Sequence, residues 1–252
     1  MIFTNLIETN LKTSFIGRKI EYYTFTDSTN DDAADIIKNS EQQNGMIIIT
    51  DYQKNGRGRR NNKWISSPGN NLTFSLILKE NDKEKIHLLS ILSGIAVVRG
   101  IKKFAHIECS LKWPNDIILN KKKIGGILIE TKKTSEDTYA IIGIGLNVNQ
   151  QEVPKELHEI ASSLQIEESK PVQREPLLAF ILNEFEILYN SDRTQWINTW
   201  KEYCVHLNKT ITINNNNQLI KGSFVDIDSC GNAIIKTDSE QLSVSTGVIE
   251  LS

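Results

Sequence analysis

The feature that most restricts the fold is a series of strand patterns packed closely together between residues 107 and 148. Strands are predicted at 107–111, 117–119, 124–131 and 139–148, and a polar segment separates the last two. Residues 120–123 (NKKK) are typical of a hairpin turn. The series is mostly antiparallel in character, and amphipathic helical patterns flank it. We therefore predict an α+β fold with a mixed, mostly antiparallel central sheet rather than a doubly wound sheet.

Other periodic segments extend this core on both sides. Before it lie predicted strands at 20–25, 45–50 and 71–78 and a helix at about 31–38. In 71–78 apolar and hydroxyl side chains alternate, which predicts a strand with one buried face. Helices are predicted at 84–104, 176–189 and 194–204, with a short helical piece near 160–164 inside an irregular segment. The tryptophans of the last helix, Trp196 and Trp200, are expected to pack in the core or between the domains.

The pattern of the sequence changes after Val205, from long segments that include helices to short strands separated by polar turns. Five short strand patterns occur in under 50 residues, with polar turns at 214–217, 228–232 and 238–240. This spacing predicts a small SH3-like β-barrel. We place the domain boundary near residue 205, which gives a larger domain at 1–205 and a C-terminal domain at 206–252. The five strands are predicted at 210–213, 219–225, 233–237, 241–244 and 248–251.

Composition excludes several classes of protein. The 252 residues are 39% hydrophobic and 24% charged, with a net charge of −2, as in ordinary globular proteins and unlike general nucleic-acid binders. No segment has the roughly 20 apolar residues of a membrane span, and the N-terminus does not resemble a signal peptide. Cys109, Cys204 and Cys230 are far apart, which predicts buried free thiols and no zinc site. We expect a cytoplasmic protein.

The strongest local motif is the basic segment 56–64, GRGRRNNKW, which holds four cations, two glycines and a tryptophan. Glycines allow close approach of the backbone to a ligand, and arginine forks bind planar oxyanions. A tryptophan face can cover an adenine ring or a guanidinium. The residues alone favour a phosphate-binding loop and a solvated basic loop about equally.

Four other segments carry candidate site residues, each with a structural alternative. Residues 27–30 (DSTN) at a strand–helix junction either cap the helix or bind a small polar ring. Gln53 is either a solvated loop residue or part of that site. Residues 112–116 (KWPND) form either a tight turn or a polar wall stiffened by proline. Lys123 lies either in an exposed turn or, because Gly125 and Gly126 follow, beside a ligand.

The segment 143–149 (GIGLNVN) is a further candidate, although it is not a dinucleotide-binding fingerprint. It lacks the third glycine and the helix pattern that should follow. Its glycines indicate a strand that leaves room for another group. Asn147 could contact an adenine edge or a phosphate.

Taken together, these motifs resemble the biotin protein ligase family (biotin–acetyl-CoA-carboxylase ligase). The resemblance covers about residues 20–251 and rests on the order of the motifs: DSTN at 27–30, QKNGRGRR at 53–60, Trp64, SPGNNL at 67–72, KWPND at 112–116, KIGGILIE at 123–130 and GIGLNVN at 143–149. In one departure, Asn61-Asn62 stands where the family loop often has Gly-Arg. Since only about 20 residues precede the first strand, the resemblance is to the monofunctional ligase without a DNA-binding domain.

The resemblance implies a two-step reaction. Biotin and ATP form biotinyl-5′-AMP, and a lysine of a biotin carboxyl carrier protein then takes the biotinyl group. The implied catalytic residues are Arg57, Arg59, Lys112, Asp116 and Lys123. The implied biotin-binding residues are Ser28, Thr29, Asn30, Gln53, Arg57, Gly58, Arg59, Lys123, Gly126 and Leu128. The implied ATP or adenylate contacts are Arg59, Arg60, Trp64 and Asn147.

The implied cofactor is Mg²⁺ carried with ATP, without a dedicated protein site. No nucleic-acid or membrane partner is expected. The resemblance also implies a homodimer, because members of the family often pair through the central sheet. A lipoate–protein ligase or octanoyl transferase, a non-catalytic biotin- or nucleotide-binding module and a biotin-responsive repressor are the alternatives. Arg57-Gly58-Arg59 and the KWPND segment favour biotin over lipoate as the substrate. The full set of cations argues against a non-catalytic binding module, because binding of biotin alone needs no phosphate-binding cations.

Overall fold

The computed structural model describes residues 1–39, 43–215 and 218–251, with side-chain surroundings undescribed at 61, 250 and 251. A seven-stranded sheet in the order β1-β2-β3-β7-β6-β5-β4 forms its centre. The β1–β2 pair is parallel and the other neighbouring pairs are antiparallel, as predicted. The strands are β1 (Ile20–Tyr23), β2 (Ile47–Thr50), β3 (Leu72–Lys79), β4 (Ser110–Lys112), β5 (Asp116–Leu119), β6 (Lys122–Lys133) and β7 (Thr138–Leu146).

Helices cover both faces of this sheet. The long helix α3 begins where the Asp82 carboxylate accepts from the backbone N–H groups of Glu84 and Lys85. It packs with α5 and α6 in the main hydrophobic core, whereas α2 lies on the other face of the sheet. The helices are α1 (Thr4–Asn10), α2 (Thr29–Asn39), α3 (Lys83–Ala105), α4 (Leu164–Glu168), α5 (Arg174–Tyr189) and α6 (Arg193–Tyr203).

Strand β3 is buried on both faces, which corrects the prediction of one buried face. Its leucines and Phe74 belong to the main core with α3. On the second face, Ile77 packs with Ala33 and Ile37 of α2. Thr73 and Ser75 continue that second face beyond the apolar cover of α2, and both are buried as well. The polar half of this face is therefore roofed by other parts of the chain.

The register of the strands extends this polar face across the sheet. Thr73 pairs with Gly145, Gly145 with Gly126, Gly126 with Asp116, and Asp116 with Lys112. Residues paired in this way point to the same face of a sheet. Gly145 and Gly126 thus lie side by side between the Thr73 hydroxyl and Asp116, whose carboxylate forms an ion pair with Lys123.

The C-terminal segment forms a second, all-antiparallel sheet in the order β11-β10-β9-β8-β12. All five predicted strands are present, which agrees with a small SH3-like module. Of the turn predicted at 214–217, residues 216 and 217 lie outside the described residues. The strands are β8 (Thr210–Asn215), β9 (Gln218–Ile227), β10 (Ala233–Lys236), β11 (Gln241–Val244) and β12 (Val248–Leu251).

One further sequence expectation fails and one helix is not predicted, because tertiary contacts override the local pattern in both places. The helical piece expected near 160–164 is wrong: Ala161 instead bridges to Lys123, and α4 begins later, where Ser163 accepts from the Ile166 N–H. Helix α1 is not anticipated, and it forms by packing on α5 with Ile7 fully buried.

Other expectations agree with the structure. Trp196 and Trp200 are buried, as predicted. The cysteines are free, although only Cys109 is fully buried. Among the described residues, no helix is long and apolar enough to cross a membrane.

Candidate functional site

A cavity of about 370 Å³ opens on the polar face of β3, β7, β6 and β5, next to the first turn of α2. It brings together fourteen of the fifteen site residues expected from the sequence, although they come from segments up to 100 residues apart. These fourteen are Ser28, Thr29, Asn30, Gln53, Arg57, Gly58, Arg59, Arg60, Trp64, Lys112, Asp116, Lys123, Gly126 and Leu128.

Asn147 is the residue that the structure does not bring to the cavity wall. Its Nδ2 donates to the Ser162 carbonyl at 2.9 Å, and its backbone N–H donates to the Ile124 carbonyl at 2.7 Å. Asn147 therefore ties the segment around Ser162 to the end of the sheet, behind the cavity.

One end of the cavity is a buried hydrogen-bond network at the start of α2. The Thr29 N–H and hydroxyl donate to Gln53 Oε1 at 2.8 and 3.0 Å. From the sheet, the Ser75 hydroxyl lies 2.7 Å from Thr29 Oγ1 and 2.6 Å from Asn30 Oδ1. Gln53 is thus a buried partner of the helix N-terminus, not a solvated loop residue, and the segment 27–30 both begins α2 and lines the cavity.

Gly143 makes room for this network. A Cβ built on Gly143 would stand 2.5 Å from Asn30 Oδ1, which no real Cβ contact allows. Asn30 Nδ2 donates in turn to Glu130 Oε2 at 2.5 Å. Glu130, at the far end of the predicted KIGGILIE motif, is a site neighbour that sequence reasoning did not single out.

The basic loop forms the roof of the cavity. It folds back on itself through hydrogen bonds from the Gly58 N–H to the Asn62 carbonyl (2.7 Å) and from the Trp64 N–H to the Gly56 carbonyl (2.9 Å). Arg60 adopts a left-handed conformation at the tip, with φ 56°. The Trp64 ring lies against Gly145 in the floor. The loop is thus a closed structure over the sheet.

Arg57 is compensated by carboxylates. Its guanidinium makes two contacts with Asp31, at 2.5 and 2.7 Å, and one with Glu130 at 3.4 Å. The hydrogen bond to Asp31 is the main reason that the pKa of Arg57 is raised, and the same bond lowers the pKa of Asp31. Arg57 therefore fastens the loop to α2 through an ion pair whose two side chains are both partly exposed.

Arg59 is held differently, by neutral oxygens. Its Nη1 donates to Asn115 Oδ1 at 3.2 Å and its Nη2 donates to Thr246 Oγ1 at 3.0 Å. Burial, and then the neighbouring Arg60, lower the pKa of Arg59. No carboxylate of the described residues lies within ion-pair distance of it. Asp116 is near enough to counter part of this lowering but does not pair with Arg59 directly. A desolvated cation without a direct carboxylate contact is an attractive site for an anion.

Lys123, near the start of β6, lies in the cavity wall beside Asp116 of β5. Its Nζ lies 2.6 Å from Asp116 Oδ1 and would be 3.3 Å from a Cβ at Gly126. Backbone hydrogen bonds to the Ile160 carbonyl and from the Ser162 N–H hold the strand at this point. The glycine thus lets the ammonium group lie close over the sheet, as the sequence suggested.

The KWPND segment connects the two cation sites. The Trp113–Pro114 peptide is cis, and Asn115 Nδ2 donates to the Ile127 carbonyl at 2.8 Å. Asn115 therefore touches both β6 and Arg59, and Asp116 begins the next strand beside Lys123. The tight-turn and polar-wall interpretations are both correct for this segment.

The C-terminal sheet also contributes to the cavity wall, through Gly247, Val248 and Ile249. Sequence reasoning missed these residues because nothing in a short strand pattern indicates which catalytic loop it will touch. The assembled cavity offers a buried set of neutral hydrogen-bond groups at one end and cationic groups at the other. It can bind a polar ring at one end and hold two anions close together at the other.

Comparison with known proteins places these features in context. Residues 22–147 match the Biotin/lipoate A/B protein ligase family, and residues 206–252 match the Biotin protein ligase C terminal domain. The chain is 33% identical, over 97% of its length and 78% of the relative, to the bifunctional ligase/repressor BirA of Bacillus subtilis. It is 28% identical to BirA of Escherichia coli, over 88% of this chain and 70% of the relative.

The fold is similar to that of a solved ligase. Biotin protein ligase from Aquifex aeolicus in complex with biotin and ATP matches with a TM-score of 0.80 and 25% identity, over 93% of this chain and all of that one.

Proposed function

Because the chain belongs to the biotin/lipoate A/B protein ligase family, we propose that it is an ATP-dependent biotin–protein ligase. It joins biotin to AMP and then passes the biotinyl group to a lysine of a biotin carboxyl carrier protein. The observation that carries this proposal is the shared cavity of Arg59, Lys123 and the Thr29–Gln53 network. The relatives named as ligases and the Aquifex structure with biotin and ATP support it.

Ring recognition occurs at the neutral end of the cavity. Ser28, Thr29 and Gln53 hydrogen-bond the ureido ring of biotin, while Gly126 and Leu128 form the floor beneath it. These polar groups are buried, so a ligand without matching atoms would leave them unpaired. Such a site discriminates strongly against analogues that lack the ring.

The first step occurs at the cationic end. A biotin carboxylate oxygen attacks the α-phosphorus of ATP, an O–P bond forms, and the bond to pyrophosphate breaks. The reactants are both anions, so Arg59 and Lys123 offset their repulsion and the charge that develops in the transition state. Lys123 changes partner from Asp116 to the substrates as they enter. Arg60 and Trp64 face the nucleotide.

Mg²⁺ enters with the nucleotide in this proposal. It prefers substrate phosphates, waters and one or two carboxylates to a dedicated protein cage. Asp116 is the acidic side chain among the described residues of the cavity wall and would supply one such oxygen. Bound there, the ion would contribute further neutralisation of the phosphate charge.

In the second step the carrier lysine amine attacks the acyl carbon, a C–N bond forms, and the C–O bond to AMP breaks. Asp116 orients the amine or Lys112, which faces it across the β4–β5 turn. Asn147 has no direct contact in this scheme and holds the wall behind the site. The proposed division into a catalytic domain at 1–205 and a C-terminal domain at 206–252 is supported by the separate sheets.

The test is a direct reconstitution with ATP, Mg²⁺, biotin and a purified carrier domain. We expect the carrier to gain the mass of one biotinyl group on one lysine, and pyrophosphate to be released when the carrier is omitted. A carrier with that lysine changed to arginine is the control, and lipoate replaces biotin in a parallel reaction. Transfer of lipoate in preference to biotin, or no transfer, would contradict the proposal.

A further inference from the structure

The two consecutive arginines at the tip of the basic loop are both anchored on the C-terminal sheet. Arg59 Nη2 donates to Thr246 Oγ1 at 3.0 Å, and Arg60 Nη1 donates to the Asn214 carbonyl at 3.2 Å. Asn214 pairs with Val248 in the register of β8 and β12, two residues from Thr246. The loop therefore rests on one edge of the second sheet.

The turn at this edge, which carries Thr246, is tightly packed. Gly247 follows Thr246, and a Cβ there would stand 2.4 Å from Ile213 Cγ2 and 3.5 Å from Trp113 Cζ3. The Trp113 indole N–H also donates to the carbonyl of Gly231, in the turn between β9 and β10, at 3.0 Å. The turn that carries Thr246 thus packs directly against the catalytic sheet and has little freedom to shift.

The Thr246 hydroxyl can orient the Arg59 guanidinium without neutralising its charge. A guanidinium is planar, so fixing Nη1 on Asn115 and Nη2 on Thr246 fixes the orientation of the whole group. Both acceptors are uncharged, so the positive charge is oriented without being cancelled. The Arg57–Asp31 pair shows the opposite arrangement, in which a carboxylate holds the arginine and compensates its charge.

We propose that Thr246 is a positioning residue of the ligase reaction, through which the C-terminal sheet presents Arg59 to the reacting carboxylate and α-phosphate. This inference rests on the proposed function. It predicts that the hydroxyl matters for the formation of biotinyl-AMP and not for recognition of the biotin ring, which lies at the other end of the cavity.

The experiment compares Thr246→Val, which removes the hydroxyl at nearly constant shape, with Thr246→Ser, which keeps it. We expect T246V to lower the rate of biotinyl-AMP formation about tenfold, as for loss of a hydrogen bond to a charged group. The KM for biotin should stay near the wild-type value, and T246S should restore most of the rate. Thr212→Val, on β8 of the same sheet and outside the cavity wall, is the control for a general effect on the module.

A double-mutant cycle separates positioning from mere stability. In an Arg59→Ala background, T246V should lower the rate of biotinyl-AMP formation less than twofold, because the guanidinium that Thr246 orients is gone. Wild-type activity with an equally active T246V would overturn this inference and leave the ligase proposal intact. Absence of biotinyl-AMP formation in the wild type would overturn the ligase proposal itself. If T246V does not fold, Thr246→Ala against T246S makes the same comparison.

Discussion

The indole of Trp64 lies directly on Gly145: a Cβ built on Gly145 would stand 2.4 Å from Cε2 and 2.5 Å from Cζ2 of the ring. The contact joins the end of the basic loop to the C-terminal end of β7. Because Gly145 pairs with Thr73 and Gly126, the ring covers the centre of the cavity floor. The glycine is therefore required by a side chain of the same protein as well as by any ligand.

Gly145→Ala tests this relationship. The added methyl group must displace the ring by about 1 Å or more to reach an ordinary contact distance, so the loop should close poorly and adenylate formation should fall about tenfold or more. The measurement is pyrophosphate release with biotin and ATP, together with near-ultraviolet circular dichroism of the tryptophans. In a Trp64→Ala background the substitution should cost little, and an equal cost in both backgrounds would show that the ring is not the reason.

Arg59→Ala and Lys123→Ala test the cationic end. Each removes a charge that we assign to the reacting anions, so adenylate formation should fall by a factor of about 10²–10³. The assay is pyrophosphate release at saturating substrates. Lys54→Ala is the matched control, since Lys54 lies near the loop but packs on the exposed ring of Phe25 outside the cavity wall. Near-wild-type release by either site variant would reject its assignment.

Ser75→Ala tests the neutral end. The Ser75 hydroxyl is fully buried and bonds Thr29 and Asn30, so its loss should cost about 1–3 kcal/mol of stability. It should also raise the Kd for biotin severalfold by loosening the groups that face the ring. Ser93→Ala removes an equally buried hydroxyl from α3. Titration calorimetry with biotin distinguishes the two, because S93A should lose stability alone.

The buried side chain of His206 should make the stability of the protein depend on pH. It is fully buried against Phe224 with neither ring nitrogen bonded among the described residues. Burial, and then Lys112 and Lys209, lower its pKa from 6.5 to about 3. Between these values the unfolded chain binds a proton that the folded chain does not, so stability falls as the pH decreases from 6.5 toward 3, by up to about 1.4 kcal/mol per pH unit.

His206→Phe should remove this part of the acid sensitivity while keeping an aromatic ring in the core. Urea unfolding at pH 7 and pH 4.5 measures it, with the exposed His87→Phe as the control. We expect the difference in unfolding free energy between the two pH values to shrink only in the His206 variant. An unchanged difference would mean that another group dominates.

The sequence motifs indicated most of the residues that gather around one cavity, because each motif carries its own local reason. Glycines in β6 and β7, the proline at 114 and the hydroxyls before α2 all indicate backbone or hydrogen-bond requirements within a few residues. Their convergence on one cavity follows from the strand register, which the alternation of side chains largely sets. Asn147 shows the limit, since a residue two positions beyond Gly145 lies behind the wall and not in it.

The sequence by itself determined all the strands and most of the helices, the mostly antiparallel character of the main sheet, the separate C-terminal module and the family of the chain, because periodicity and motif order are local properties. It did not indicate α1, and it placed the helical piece before α4 too early. Only the tertiary structure decided that Asp31 and Glu130 compensate Arg57, whereas Asn115 and Thr246 hold Arg59 with its charge intact. Thr246 stands 187 residues from Arg59. A contact of that separation depends on how the two sheets pack against each other, and no local sequence pattern specifies which residues of two distant elements will meet.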